Sequence, residues 1–217
     1  MSLDWSWLRG NAGEIGLLLG QHAVLAVLPV LAAVLIALPL GLAVLRAGRA
    51  GAVVLAVLGL VHSIPALALL VALPLLLGTR MLDPLNVAVA LTVYSVAVLV
   101  RSVADGLRSV PESVRESASA AGFSPFRRLV RVEVPLAMPV LFAGLRVVTV
   151  SNIALVSVAA LVGSGALGQL IERGYRSQFS TPLVVGLVLS VALALLADAV
   201  LLLLHRGTLP WTRARRA

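Results

Sequence analysis

The stretch "IGLLLGQHAVLAVLPVLAAVLIALPLGLAVL", residues 15–45, carries no charged side chain. A membrane-spanning helix needs about 20 mainly apolar residues, because the hydrocarbon core is about 30 Å thick and a helix rises about 1.5 Å per residue. This stretch is therefore long enough to cross a membrane as one helix. Further stretches without a charged side chain lie at 50–79, 84–100, 147–171 and 177–197.

The composition of the whole chain is typical of a membrane protein. Of its 217 residues, 60% are hydrophobic and 12% are charged, and the mean hydropathy is +1.08. A soluble domain carries about 25% charged residues, so this chain has too few charges to cover a soluble surface. The absence of cysteine excludes disulfides, zinc–thiolate sites and thiol nucleophiles. With only three histidines and nine acidic residues, we expect no metal site.

Trimming the uncharged stretches at turn residues predicts five membrane-spanning helices. Their approximate ranges are 22–45, 51–73, 85–105, 138–160 and 181–204. Lipid offers the backbone no hydrogen-bond partner, whereas an α-helix satisfies its own backbone groups. The predicted fold class is therefore an all-α polytopic integral membrane protein, with a single transmembrane domain over residues 1–217.

Prolines interrupt the first two predicted helices, at Pro29, Pro39, Pro65 and Pro74. Such a proline can be a simple kink whose free backbone groups are satisfied by neighbouring helices. It can also mark a helix that bends to open a central pathway. For Pro65, within "HSIPAL", the two interpretations stand equal.

Arginine is distributed unevenly between the two predicted sides of the membrane. All 17 basic residues are arginines, and the formal net charge is +8. Twelve lie in 46–50, 101–133 and the tail 205–217, whereas four lie in 1–20, 74–84 and 161–180. Because loops rich in arginine stay in the cytoplasm, we expect the N-terminus outside and the C-terminus inside. Attraction to anionic lipid then explains the basic tail without a nucleic-acid partner.

A long polar loop, at about 106–134, has features of two short helices. Pro111 followed by Glu112 suits a first helical turn, and Gly122 suits a helix end. A second short helix is predicted at 125–134. The first helix carries the small side chains of "ESASAAG", which would let another surface approach closely. Because it has no bulky side chains to form a core, we expect it to dock into another protein.

This loop resembles the EAA loop of bacterial ABC importer permeases, whose pattern is E-A-A, three residues, G, nine residues and I-x-L-P. The positions of the pattern are filled in order by Glu116, Ser117, Ala118, Gly122, Val132, Val134 and Pro135. The spacing is complete, and the departures are serine for alanine and valine for isoleucine and leucine. The resemblance implies docking on an ATP-binding subunit. The coupling residues that it implies are Glu112, Glu116, Ser117, Ala118, Ala121, Gly122 and Pro135.

The resemblance extends over most of the chain. The stretches "HSIPALALL" (62–70), "YSVAVLVRS" (94–102), "RVEVPLAMPVLFAGLR" (131–146) and "VAALVGSGALGQLI" (158–171) are similar to permeases of the glycine betaine, carnitine and choline uptake branch. From Asn152 the branch typically has "NIGTATLAALIGAGGLG", where this chain has "NIALVSVAALVGSGALG". The resemblance implies a type I ABC importer transmembrane domain, similar to the methionine and maltose permeases.

Residues 163–168 also spell G-x-G-x-x-G. A dinucleotide site would need a preceding soluble strand and a following helix. Here the motif follows a predicted membrane helix. We therefore expect a tight external turn or a re-entrant segment, in which glycine permits positive φ and close packing.

Two opposite charges, Arg146 and Asp198, lie within predicted membrane helices, each about two turns from the cytoplasmic end. A lone charge inside a membrane is costly, so we expect that the two pair, or that each pairs with a group such as Glu133 or Arg101. Snorkelling of Arg146 alone is the alternative.

Four residues are candidates for lining a translocation path, namely Pro65, Tyr94, Asn152 and Ser157. A quaternary ammonium is usually held by several aromatic rings. Tyr94 is the one aromatic residue deep in the third predicted helix, so we expect tight recognition in a separate binding protein. Asn152 can equally bond to a neighbouring helix.

Together, the residues and the resemblance predict a permease subunit of an ATP-driven importer rather than an enzyme. The chain has no lysine, and therefore no P-loop lysine, so ATP and Mg²⁺ are expected on a partner and no cofactor on this chain. The implied partners are ABC ATPase subunits, a second permease copy or paralogue, an extracytoplasmic solute-binding protein and lipid of the bacterial cytoplasmic (inner) membrane. The implied solute is an osmoprotectant such as glycine betaine, carnitine, choline or proline betaine. Another solute such as an amino acid is the alternative, and a secondary transporter is less favoured because no internal repeat is evident.

Overall fold

A computed structural model describes residues 3–80 and 83–208, and all the regular structure in these ranges is helical. Residues 209–217, which include most of the basic tail counted above, lie outside the described residues. The helices are α1 (Trp5–Gly10), α2 (Ala12–Arg46), α3 (Arg49–Ser63), α4 (Ala66–Leu77), α5 (Pro84–Arg108), α6 (Glu112–Ala120), α7 (Pro125–Arg128), α8 (Val134–Val158), α9 (Leu167–Arg176) and α10 (Ser180–Thr208). A π-helical turn (Leu129–Glu133) precedes α8, and a 3₁₀ turn (Ala159–Val162) follows it.

Four helical segments of the described chain are long and apolar enough to cross a membrane alone. They are α2, α5, the continuous helical segment Pro125–Val162 that contains α8, and α10. The pair α3 and α4 makes a fifth candidate, bent by 101° at the break between its two parts. The chain is therefore an all-α, multi-pass membrane protein with four or five spans.

The span predicted at 51–73, with a kink at Pro65, is divided into two helices, because the chain breaks between α3 and α4. Pro65 has no N–H to continue the helical bonds, and its ring disfavours helical geometry in the residue before it. Ile64 accordingly has extended geometry, with ψ at 131°. Pro29 and Pro39, in contrast, lie inside α2 without ending it.

The first long helix begins ten residues before the predicted position 22. α2 starts at Ala12, and Glu14 lies in its first turn, where the helix dipole favours an acidic side chain. Glu14 also pairs with Arg173 of α9, with 2.8 Å between the carboxylate and guanidinium atoms. The charge of Glu14 therefore does not mark a loop before the helix, because Glu14 belongs to the first turn of α2.

The polar loop at 106–134 folds largely as its proline and glycine positions predict. α6 begins directly after Pro111 and ends before Gly122. The second predicted helix, at 125–134, is different in form. It is the four-residue helix α7, which passes through the π-helical turn into α8 without a break.

The glycine motif at 163–168 forms a tight turn followed by a short helix. Gly163 has φ at 81°, in the left-handed region where glycine is favoured. The chain then packs against the end of α8 so closely that a methyl group on Gly165 would lie 2.2 Å from the backbone nitrogen of Ala160. α9 follows this turn and packs between α8 and α10.

The helices pack around α5, which contacts α2 on one side and α8 on another. Small residues face the core along α2, where Ala26, Ala33 and Ala37 are fully or almost fully buried. Gly41 continues this face, and a methyl group there would lie 2.5 Å from a methyl carbon of Val103. Small side chains let membrane helices approach closely, so this face sets the distance between α2 and α5.

We expect Gly168→Ala to lower the thermal unfolding temperature of the purified protein. The added methyl group would lie 2.3 Å from the carbonyl oxygen of Ser157. Overpacking of this kind costs about 1–3 kcal/mol. The matched control is Gly16→Ala in α2, where nothing lies within 4 Å and alanine favours the helix. Equal thermal stability of the two variants would contradict the close packing of α9 on α8.

The candidate coupling loop and the membrane interior

The helix α6 is short, polar and mostly exposed. Of its residues only Ala118 is buried, whereas Glu112, Glu116 and Ser117 are exposed. Glu116 forms no hydrogen bond or ion pair with any described residue. An exposed helix with a free carboxylate and small side chains offers a surface on which another protein can dock.

A buried carboxylate, Glu133, holds α6 against the membrane helices. Its Oε1 accepts a hydrogen bond from Arg128 Nε at 2.8 Å. Its Oε2 lies 3.8 Å from Arg115 Nε, an ion pair too long for a hydrogen bond. Arg115 also donates to the carbonyl oxygen of Leu107 and pairs with Glu112 at 3.3 Å. Arg115 thus links α6 to the end of α5 and to the start of α8.

A second arginine contact joins α6 to α7. Arg128 NH1 donates to the Ser119 hydroxyl at 2.8 Å, while its Nε is bonded to Glu133. The π-helical turn Leu129–Glu133 lies between these residues and α8. Such turns insert an extra residue into a helix and occur often at functional sites. Movement of α6 would therefore pull on the first turn of α8 through two arginines and one carboxylate.

The end of α6 depends on a positive φ at Gly122. Gly122 has φ at 80°, and a methyl group there would meet nothing within 4 Å. The Phe123 amide donates back to the Ala118 carbonyl oxygen at 3.1 Å, which closes the helix end. Substitution would therefore strain the backbone without causing a clash.

The predicted coupling residues lie together on α6 and its C-terminal turn, with one exception. Ala121 is exposed beside Gly122, but Pro135 lies in the first turn of α8 and is half-buried. Sequence reasoning named Glu133 only as a partner for the membrane charges. Glu133 fills the variable position of the I-x-L-P segment, but its burial and its contacts with Arg128 and Arg115 were not readable from the pattern.

Arg146 and Asp198 form a bidentate ion pair between α8 and α10. Arg146 Nε and NH2 each donate to one carboxylate oxygen of Asp198 at 2.6 Å. About a third of each side chain is exposed. Neither of the other suggested partners takes part, since Glu133 binds Arg128, and Arg101 is exposed without an ion pair among the described residues.

The break at Pro65 is tied to α5 by Tyr94. The Tyr94 hydroxyl donates to the carbonyl oxygen of Ile64, one of the backbone groups that the break leaves without a helical partner. The ring of His62 meets the Tyr94 ring edge-on, with 5.5 Å between their centres. Tyr94 itself is buried, whereas Pro65 and Ile64 are exposed and Ala66 is half-buried.

Asn152 lies in a buried polar cluster and bonds to two other helices. Its amide donates to Ser95 Oγ of α5 at 3.1 Å and to the Ala26 carbonyl oxygen of α2 at 3.4 Å. His22, to which no sequence motif points, is fully buried, and its Nε2 lies 2.9 Å from the carbonyl oxygen of Ile153, the residue after Asn152. Interhelical hydrogen bonds of this kind fix the relative position of membrane helices.

Ser157 lies at a cavity of about 620 Å³ between α8 and α10. Its hydroxyl is 3.3 Å from that of Ser190, and Asp198 lies at the other end of the same cavity. Of the four predicted pathway residues, Ser157 faces this cavity and Pro65 faces outward. Tyr94 and Asn152 are packed inside the chain.

At the opposite end of the molecule, the start of α1 contacts the first turn of α10. The backbone amide of Asp4 donates to the Thr181 hydroxyl at 3.0 Å. The Ser6 hydroxyl and the Trp7 amide hydrogen-bond to the Asp4 carboxylate and hold its pKa below the ordinary value. No cluster of potential metal ligands occurs among residues 3–80 and 83–208.

Comparison with solved structures identifies the class of this fold. Inward-facing structures of the MetNI methionine ABC transporter match with a TM-score of 0.79 and 23% identity, over 96% of this chain and 99% of theirs. An amino acid ABC transporter matches with a TM-score of 0.76 and 17% identity, over 95% of this chain and 100% of its own. The fold is that of type I ABC importer permeases.

The chain belongs to the family described as "Binding-protein-dependent transport system inner membrane component", which matches residues 29–209. A curated relative is the glycine betaine/carnitine/choline transport system permease protein OpuCD of Bacillus subtilis, 33% identical over 88% of this chain and 82% of its own length. Another is the osmoprotectant import permease protein OsmW of Salmonella typhimurium, 34% identical over 92% of this chain and 93% of its own length.

We expect the substitutions Arg146→Ala and Asp198→Ala to be non-additive in thermal stability. Either single change leaves one charge unpaired inside the membrane, which is unfavourable. The double variant removes both charges, so it should lose less stability than the sum of the two single losses. Thermal unfolding in detergent, monitored for all four proteins, measures this difference. Strictly additive losses would contradict a direct interaction.

Proposed function

We propose that this chain is the permease subunit of an ATP-driven importer and that α6 is the helix through which a separate ATPase drives it. The observation that carries the proposal is an exposed polar helix held to the first turn of α8 through Glu133. ATP-driven movement of a bound ATPase subunit would displace α6, and the arginine contacts would transmit that displacement to the membrane helices. In physical terms, ATP biases a two-state element to which both sites are coupled.

The energy source belongs to a partner in this proposal. The chain has no lysine, so it lacks the P-loop lysine, and we assign ATP and Mg²⁺ to separate ABC ATPase subunits. A second permease copy or a paralogue would complete the path, and an extracytoplasmic binding protein would deliver the solute. Membership of a family of binding-protein-dependent transport components supports this assembly.

The proposed solute is a small osmoprotectant of the glycine betaine, carnitine or choline type. The names of two relatives that align with most of this chain support this class. Tyr94 is buried, and its ring and hydroxyl contact His62 and Ile64. A single tyrosine cannot form an aromatic cage. Selection of the solute therefore falls to the binding protein, and the permease supplies a path.

The first prediction from this proposal concerns the turn at Gly122. Gly122→Val should reduce the amount of ATPase subunit retained on the purified permease, because a β-branched residue is strongly disfavoured at positive φ. The matched control is Gly48→Val between α2 and α3, where φ is also positive, at 53°, and nothing lies within 4 Å. Co-expression followed by quantified co-purification measures retention, with the membrane content of each variant as reference.

The retention of the partner by these variants tests the docking proposal. Retention that falls for Gly122→Val but not for Gly48→Val supports α6 and its turn as the docking element. Gly122→Asn should keep more of the partner than Gly122→Val, because asparagine tolerates the left-handed region. Equal retention by the wild type and Gly122→Val would contradict the proposal.

The second prediction concerns the solute and the driving force. Proteoliposomes that contain this chain with its ATPase and binding protein should accumulate labelled glycine betaine, carnitine or choline only when ATP is supplied. Ionophores that collapse ion gradients should leave this accumulation unchanged. Uptake of methionine in place of these compounds would contradict the solute class. Uptake that follows an ion gradient without ATP would contradict the ATP-driven mechanism.

The third prediction concerns orientation. The chain has no cysteine, so single cysteines can be placed without background labelling. Tyr175 in α9 and Phe126 in α7 are both aromatic and similarly exposed, at 78% and 76%. With the N-terminus outside, a membrane-impermeant maleimide should label Tyr175→Cys in intact spheroplasts and Phe126→Cys only after permeabilisation. The reverse pattern would overturn the orientation.

A further inference from the structure

A cavity of about 460 Å³ lies behind α6, between the ends of α2 and α5 and the start of α7. It is lined by four arginines, Arg46, Arg108, Arg115 and Arg128, and by one acidic residue, Glu133. The lining therefore has a clear excess of positive charge. Such an excess of arginines favours an anionic ligand.

The four arginines differ in the hydrogen bonds and ion pairs that they form. Arg128 and Arg115 are engaged with Glu133, as described above. Arg46 forms no hydrogen bond or ion pair with any described residue. Arg108 makes only a 3.8 Å contact with Asp105, and more than half of its side chain is exposed. Arg46 and Arg108 thus keep their guanidinium donors available.

The remaining walls of the cavity are apolar. Leu42 and Leu45 come from α2, Leu107 from α5 and Leu129 from the π-helical turn. Burying apolar groups of a ligand against these side chains is favourable, whereas a small inorganic anion would gain nothing from them. The lining therefore fits an amphiphile with a negative head and a hydrocarbon body.

The cavity lies at the ends of two candidate membrane spans, where lipid headgroups are expected. Arg46 and Arg108 are the last residues of α2 and α5, which are both candidate membrane spans. Basic pockets between membrane helices on the cytoplasmic side bind anionic headgroups, and guanidinium groups bind phosphate with two parallel hydrogen bonds. Charge, wall chemistry and position thus point to the same class of ligand.

We propose that this cavity binds the phosphate of an anionic phospholipid, with Arg46 and Arg108 as its direct partners. Arg115 and Arg128 together carry two positive charges against the one negative charge of Glu133, so they add to the positive potential of the cavity. The acyl chains then run along Leu42 and Leu45 of α2. A lipid in this position lies against the same contacts that hold α6, and it joins the coupling loop to the membrane surface. This assignment goes beyond the transport proposal and does not depend on the solute.

Native mass spectrometry tests the proposal on the full-length chain, purified in detergent together with its co-purifying subunits. Dioctanoyl phosphatidylglycerol and dioctanoyl phosphatidylcholine are titrated separately, and the bound fraction is read from the adduct masses. The wild type should bind the anionic lipid at lower concentration than the zwitterionic one. Arg46→Gln should raise the half-saturating concentration of the anionic lipid about fivefold, the effect of one basic residue near a membrane surface.

The matched control is Arg49→Gln, three residues away at the start of α3. Arg49 is exposed and does not line the cavity, so its loss should leave binding unchanged. Arg46→Lys should restore part of the affinity. Equal binding of the two lipids, or equal effects of Arg46→Gln and Arg49→Gln, would overturn the site. Displacement of the lipid by inorganic phosphate at equal concentration would overturn the assignment to lipid.

Discussion

Lipid provides no hydrogen-bond partner for a backbone amide or carbonyl, and this constraint accounts for much of the molecule. It makes every span helical. At the break beside Pro65, it makes a backbone group without a hydrogen-bond partner unfavourable. The Tyr94 hydroxyl supplies a partner to the Ile64 carbonyl oxygen at that break. The same constraint explains why Asn152 is bonded to both α2 and α5. The polar groups of the membrane interior thus hold the helices in register.

The candidate coupling loop follows a different rule, because its helix α6 is mostly exposed and has no core of its own. α6 is stabilised from one side only, by Arg115 and by the Arg128 contact to Ser119. Both arginines meet at Glu133, which is 9% exposed. Removing one partner of a buried charged pair is more costly than removing an exposed one, so Glu133 is the point at which loop position and membrane helices are joined. The exposed face of α6 is left free for a partner.

Much of the fold could be predicted from the sequence. Long stretches without charged residues indicate the membrane spans, and Pro111 and Gly122 mark the two ends of α6. Three features could not be predicted. The position of the break at Pro65 was predicted, but its angle of 101° between α3 and α4 was not, because Pro29 and Pro39 lie inside α2 without ending it. α9 was missed as a helix because its glycine-rich start reads as a turn. Glu133 lies in a π-helical turn that the sequence pattern does not encode, so its contacts with Arg115 and Arg128 could not be predicted.

In the proposed mechanism, Glu133 transmits movement of α6 to α8. The most direct measurement is the number of solute molecules transported per ATP hydrolysed, in proteoliposomes with the ATPase and binding protein, for Glu133→Gln and for the exposed control Asp105→Asn. The account predicts that Glu133→Gln keeps ATP hydrolysis but lowers this ratio, while Asp105→Asn leaves it at the wild-type value. An unchanged ratio in Glu133→Gln, with normal amounts of assembled transporter, would contradict the claim.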